Sequence, residues 1–263
     1  MLNRIICGIF LGAGVMLTAL PTAEAVIIVV NHDEWTLSNT GFAQATADPG
    51  TFATNIASLM AGGFGTFHAY STNFGLTQSS LATAMTGAGH AWTTGTGITF
   101  DLPTLLGYDG IFLGGNAADN DILIDYVEAG GNVYLMGGTG AGGATAEAAR
   151  WNTFLNHFGL NYVGGSYNGV SGTLATSSVH PIFAGVDHLY YDNGNTVTDL
   201  DAGDPRNQIL EFSSQGIGLI GIYDSRLGNG TGPVIPEPST MLLLGLGGLG
   251  AGLSRRRRGS PRT

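Results

Sequence analysis

Tyr108-Asp109-Gly110-Ile111-Phe112-Leu113-Gly114-Gly115 is an apolar run that closes on two glycines, and Val133-Tyr134-Leu135-Met136-Gly137-Gly138 repeats the pattern further on. Neither run alternates apolar with polar residues, so each predicts a short strand buried on both faces. Between them Ile122, Leu123, Tyr126 and Val127 recur at helical spacing, and Gly130-Gly131 stops the helix they define. After the second strand Thr145 is placed to cap another helix. In it Trp151, Phe154, Leu155 and Phe158 fall at i, i+3, i+4 and i+7 before Gly159. Strand, helix, strand, helix with glycine at each strand end predicts a right-handed parallel crossover. Such a sheet needs helices on both faces.

Working outward, Val26-Ile27-Ile28-Val29-Val30 reads as another strand with two buried faces. Asp48-Pro49 reads as an N-cap followed by proline at the first helical position. Phe52, Ile56, Leu59 and Met60 then share one helical face, and Gly62-Gly63 ends it. Thr66 to Ser71 is a second strand, and Thr77 is placed to cap a helix with Leu76 and Leu81 as a hydrophobic staple. After Asn161 the segments shorten and become rich in Thr, Ser and Gly. Gln208 to Phe212 and Ile217 to Tyr223, separated by Ser213-Ser214-Gln215-Gly216, read as a closing hairpin. The expectation is a three-layer α/β sandwich with a mostly parallel sheet and a β-rich C-terminal section.

The two glycine-ended strands, the helix ending Glu128-Ala129-Gly130-Gly131, and His180-Pro181-Ile182-Phe183-Ala184-Gly185 together resemble the class I glutamine amidotransferase-like fold, and in particular its trehalose-utilisation (ThuA-type) branch. The resemblance spans about Val26 to Leu189 and implies a flavodoxin-like sheet. In the amidotransferases the turn after the second strand presents a nucleophilic cysteine on a strained elbow. Here that turn is Gly137-Gly138-Thr139-Gly140. Thr139 would need a base beside it to act as an oxygen nucleophile, and His180 is the candidate.

The two ends of the chain carry addresses. Met1-Leu2-Asn3-Arg4, the apolar Ile5 to Leu20, and Ala23-Glu24-Ala25 form a signal-peptide pattern over 1–25, so a signal peptidase is expected to expose Val26. The sole cysteine, Cys7, lies within it, which leaves the rest without disulfide or thiolate chemistry. At the other end Pro236-Glu237-Pro238 is followed by an uncharged Leu/Gly-rich run from Ser239 to Ser254, then Arg255, Arg256, Arg257 and Arg258. As a helix that run would be about 24 Å long, a short membrane span held cytoplasmic by its arginines. Residues 233–263 thus resemble the PEP-CTERM sorting signal of Gram-negative bacteria. The resemblance implies an inner-membrane-anchored precursor, cleavage by an exosortase near Pro-Glu-Pro, and delivery to the cell surface or extracellular matrix. The expected division is signal peptide 1–25, α/β domain 26–232 and sorting signal 233–263.

The chain has no lysine, and between the two signals 17 acids face only Arg150, Arg206 and Arg226. Such a surface repels nucleic acid and accepts neutral polysaccharide or cations. Several residues are candidates for a pocket at the strand ends. Asn31-His32-Asp33-Glu34-Trp35 follows the first strand, where open α/β sheets bind ligands. His32, Asp33 and Glu34 suit acid–base work or a metal, or a polar loop whose carboxylates cap backbone with Trp35 packed beneath. Gly114-Gly115-Asn116 ends its strand at the same edge, and His180-Pro181 reads equally as a structural turn. Asp199, Asp201 and Asp204 form the densest oxygen cluster, a candidate Ca²⁺ loop without EF-hand spacing or a solvated turn. Tyr190-Tyr191 are candidates for stacking on sugars.

Three functions compete. One is an exported surface or matrix protein whose body, lacking a cysteine nucleophile, is a binding or structural module among exopolysaccharides. Another is an extracellular ThuA-like hydrolase using His32, Asp33, Glu34 and His180, which requires those side chains to converge. The third is a calcium-stabilised adhesin, whose melting temperature a chelator would lower.

Overall fold

The computed structural model describes residues 25–229, so the signal peptide expected at 1–25 (but for Ala25) and the sorting signal expected at 233–263 lie outside the described residues. Seven strands form one sheet. Five are parallel: β1 (Ile27–Asn31), β2 (Thr66–Tyr70), β3 (Ala91–Thr94), β4 (Gly110–Leu113) and β5 (Val133–Met136). In space they run β3-β2-β4-β5-β1, and the hairpin of β10 (Asn207–Phe212) and β11 (Gly218–Asp224) docks antiparallel on β1. The expected closing hairpin is therefore present, and it closes the sheet against the chain's first strand. Counted from β2, the order is 2-1-3-4, and β1 fills the fifth place, where a flavodoxin-like sheet has its last strand.

Every residue of β1, β4 and β5 is buried, as their unbroken apolar runs predict. Alternation along β1 divides the core in two. Ile27 and Val29 join Phe52, Ile56 and Met60 of α2 (Pro49–Ala61) and Leu81 and Met85 of α4 (Ser79–Gly87). Ile28 and Val30 join Leu123, Tyr126 and Val127 of α6 (Asn120–Glu128) and Trp151, Phe154 and Leu155 of α7 (Ala144–His157). Helices thus cover both faces. The short helices α1 (Asn39–Phe42), α3 (Phe74–Thr77) and α5 (Leu102–Leu105) sit in the connections. The β-rich end adds two small antiparallel pairs: β6 (Leu160–Tyr162) with β9 (Val197–Asp199), and β7 (Ser171–Ala175) with β8 (His188–Asp192).

Three expected caps work differently. Asp48 stands at the N-cap of α2, but its carboxylate accepts from the backbone of Asp187 (2.9 Å) and His188 (3.3 Å), tying the helix to β8. Thr77 ends α3, and Gln78 takes the cap position of α4; Leu76 and Leu81 are both buried. Thr145 lies inside the first turn of α7, and its hydroxyl accepts from Gly165 N–H (3.0 Å). At Asp48 and Thr145 a long-range backbone donor replaces the local one, whereas the Thr77 hydroxyl donates back to Asn73 O (2.9 Å). Gly62 does end α2 in the left-handed region, at φ 64°.

The direction of the helices fixes where a ligand would find a crevice. The helix after β1 (α2) and the helix after its neighbour β5 (α7) leave to opposite faces. The same holds for β2, followed by α4, and its neighbour β4, followed by α6. Each divergence opens a crevice at the carboxyl edge of the sheet. The two stand one strand junction apart.

Candidate functional site

The β1 end meets the β5 end at the first divergence. Gly138, at φ 65°, packs so closely on Asp33 and Gly194 that a side chain there would press on both backbones. Asn195, fully buried, accepts from Gly138 N–H (3.3 Å) and donates to the carbonyls of Ala144 (3.0 Å) and Val163 (3.3 Å), which fixes the turn. Asp33 is used up locally. Its Oδ1 accepts from Trp35 N–H (3.0 Å), Thr36 N–H (3.2 Å) and the Thr36 hydroxyl (3.1 Å), and its Oδ2 accepts from Asp192 N–H. His32 is sealed in: its ring is buried against Tyr191 at 5.0 Å, with Nε2 3.4 Å from Asp33 Oδ2. Burial lowers its pKa and outweighs the pull of Asp33, so the imidazole is neutral near pH 7.

Thr139 stands beyond Gly138. Its N–H (2.9 Å) and its hydroxyl both donate to Oε1 of Glu147, a fully buried carboxylate in the first turn of α7. The Tyr167 hydroxyl donates to the other oxygen, Oε2 (2.8 Å), and itself accepts from Gly140 N–H (3.1 Å). Burial raises the Tyr167 pKa, and the contact with Glu147 raises it further. Among the described residues Asn193 is the only non-glycine with positive φ, so Thr139 does not sit on a strained elbow.

Glu34 joins the two crevices. It is 7 % exposed, and its carboxylate accepts from the side chain of Asn73, the N-cap of α3 just beyond β2. Burial pushes its pKa up to about 7; the Asn73 bond opposes that, while Glu147 and Asp33 add to it. Asn73 also packs against Gly115, which is at φ 77°. Next to it Asn116 Oδ1 accepts from Thr72 N–H (2.7 Å) and the Thr72 hydroxyl (3.0 Å), and Arg150 holds Gly115 O (2.9 Å). Trp35 and Phe74, both half-buried, meet edge-on at 4.7 Å on the rim.

The carboxyl edge therefore gathers His32, Asp33, Glu34, Asn116 and Thr139. His180 is elsewhere: it caps the short 3₁₀ turn Pro181–Phe183, and its charged surroundings are Asp224 and Arg226. Its N–H donates to the Ser178 hydroxyl (3.2 Å), and Ser178 N–H donates to Glu211 on β10, beyond β11 from β1, so His180 stands apart from Thr139 on β5. Tyr191 is buried and has no face for a sugar. Asp199 and Asp201 accept from backbone N–H groups of their own turn, at 2.8 and 3.1 Å, and Asp204 is clamped by Arg206. Among the described residues no group of three His, Asp or Glu side chains is arranged to hold a metal ion. Two clefts, of about 560 and 460 Å³, open at the amino edge, lined by Val26 and Ser225 in one and by Leu59, Leu106 and Asn132 in the other.

The residues that sequence reasoning missed are Glu147, Tyr167, Asn73 and Asn195. Glu147 lies in a helix read for its apolar stripe and the other three in the connecting segments, and only the fold brings them to Gly138, Thr139 and Glu34.

The family model of the PEP-CTERM protein-sorting motif matches residues 234–258. The chain carries an exosortase sorting motif. The motif makes it an exported protein whose precursor is membrane-anchored and processed by an exosortase. The match covers the tail alone. Among curated proteins and among solved structures the chain finds no match. Among the described residues no helix is long and apolar enough to cross a membrane; the apolar run 239–254 lies outside them.

Proposed function

We propose that the body is a non-catalytic binding module of the cell surface or extracellular matrix, with a neutral polysaccharide as its ligand at the carboxyl edge. Its parts are a signal peptide over 1–25, removed by signal peptidase, an amidotransferase-like domain over 26–232, and the sorting segment from 233. The observation that carries this reading is the occupation of the elbow. The one hydroxyl placed where the amidotransferases carry their nucleophile is bonded to Glu147, and Glu147 already takes a second donor at that oxygen and Tyr167 at the other. The only histidine at that edge among the candidates is sealed and neutral. What borders solvent there is a neutral polar row, Thr72 and Asn116 bonded to each other and Asn73 bonded to Glu34, flanked by the Trp35–Phe74 pair. Amide and hydroxyl groups beside an aromatic edge suit a sugar, and a body with 17 acids and three arginines does not attract polyanions.

The test is a glycan array and a panel of chromogenic ester, amide and glycoside substrates, applied to the chain released by an exosortase-bearing host. Binding that Asn73→Ala weakens about tenfold, without turnover of any substrate, is the expected result. A second reading, the ThuA-like hydrolase, is favoured by one observation: a Glu34 carboxyl poised near neutrality can serve as a general acid. Turnover lost in Glu34→Gln, with its pH limb near 7, would establish that reading instead.

A further inference from the structure

The two ends of the described chain leave the body side by side. Val26 N–H donates to the Ser225 hydroxyl (2.9 Å), and Ser225 N–H donates to Val26 O (3.0 Å). Val26 precedes β1 and Ser225 follows β11, so both sit at the amino edge of the sheet. That edge also collects exposed apolar side chains. Phe64, 83 % exposed, leads into β2, and Leu106, 49 % exposed, precedes β4. Leu227 follows β11, and Leu200 lines the cleft that Val26 and Ser225 share. Of the seven large apolar side chains exposed among the described residues, these four lie at the amino edge. Single exposed apolar residues mean little; their concentration at one edge marks a surface.

We infer that the amino edge is the face the body turns to the lipid bilayer while the precursor is anchored, with Phe64 and Leu106 touching the membrane surface. This rests on the anchored precursor that the sorting motif implies. The tether decides the geometry. From Asn229 to Ser239, where the apolar run begins, ten Cα steps reach at most about 36 Å however they run. A body of about 205 residues has a radius of gyration near 17 Å, equivalent to a sphere about 67 Å from pole to pole around its surface. The tether cannot pass round to the far side, so the carboxyl edge cannot face the bilayer. Two of the body's three arginines, Arg206 and Arg226, also lie at the amino edge, each paired with an aspartate. The consequence for function is that the Glu34–Asn73 crevice points away from the membrane and is open to a ligand before the chain is released.

The absence of cysteine from the body makes the test clean. In the full chain carrying Cys7→Ser, single cysteines replace Phe64 or Leu106 at one edge and the exposed Thr72 or Ser214 at the other. Each is labelled with an environment-sensitive fluorophore in phosphatidylcholine vesicles containing a nitroxide lipid. At least threefold stronger quenching at positions 64 and 106 than at 72 and 214 is the expected result. Equal quenching at the two edges, or the reverse order, with the chain still sedimenting with the vesicles, overturns the assignment of the face alone. A chain that does not stay with the vesicles removes the anchored precursor and the face together.

Discussion

Glu34 shows how a single residue can be read correctly and still incompletely. Its place after the first strand puts it at the carboxyl edge by sequence alone, but its chemistry comes from burial by the fold, with Asn73 opposing the shift and Glu147 adding to it, both far from it in the chain. A carboxyl whose folded pKa is raised binds its proton more tightly in the native state. It therefore adds stability that is full below its ordinary value of 4.5 and is lost as the pH rises through about 7. The shift would correspond to roughly 3 kcal/mol at most, and solvent access to the carboxyl's surroundings reduces that to about 1–2 kcal/mol. Glu34→Gln removes the titration and keeps the shape. The urea midpoint of the wild type is expected to fall between pH 5 and pH 8 relative to that of the variant; parallel profiles would show that the carboxyl is not perturbed. His32 teaches the converse lesson. A histidine beside two acids reads as chemistry in sequence, and burial turns it into packing against Tyr191.

Elements were legible where their signals are local. Pro49 at a helix start, Gly62 at its end, and the unbroken apolar runs of β1, β4 and β5 locate those elements to within about a residue or two. What joins one element to the next was not legible, because side chains distant in sequence do it. Asn132 is the clearest case. Its Oδ1 accepts from Ile27 N–H (2.8 Å), entering β1, and its amide donates to Asp109 O (2.8 Å), entering β4, and to Met60 O (3.3 Å), ending α2. In sequence it is only the residue after a Gly-Gly helix stop. Asn132→Ala leaves a buried N–H and two carbonyls unpaired, and a loss of about 2–4 kcal/mol is expected in urea unfolding. Asn55→Ala removes a partly exposed amide that donates to Ile182 O and Ala184 O, and should cost about 1 kcal/mol or less. Equal losses would show that the strand-entry network carries no special weight.

At the scale of the whole chain, two kinds of information coexist. The sorting motif is contiguous, so residues 234–258 are readable without any fold. The body is the opposite: β1, the first strand, is complete only when β11 pairs along it, from Ile27 with Asp224 to Asn31 with Ile220. Export must therefore deliver nearly the entire body before its first strand finds its last partner, and the tail that follows is read by a different machine. Ile222→Asp separates the two. Ile222 is fully buried opposite Val29, and an unpartnered carboxylate there costs more than about 4 kcal/mol, a large share of the stability of an ordinary domain. In an exosortase-bearing host the anchored variant is expected to be digested by added protease where the wild-type body resists. Cleavage of its tail should proceed within about twofold of the wild-type rate. Tail cleavage that stops when the body unfolds would mean that the exosortase also reads the folded amino edge, and that the address and the domain are a single signal.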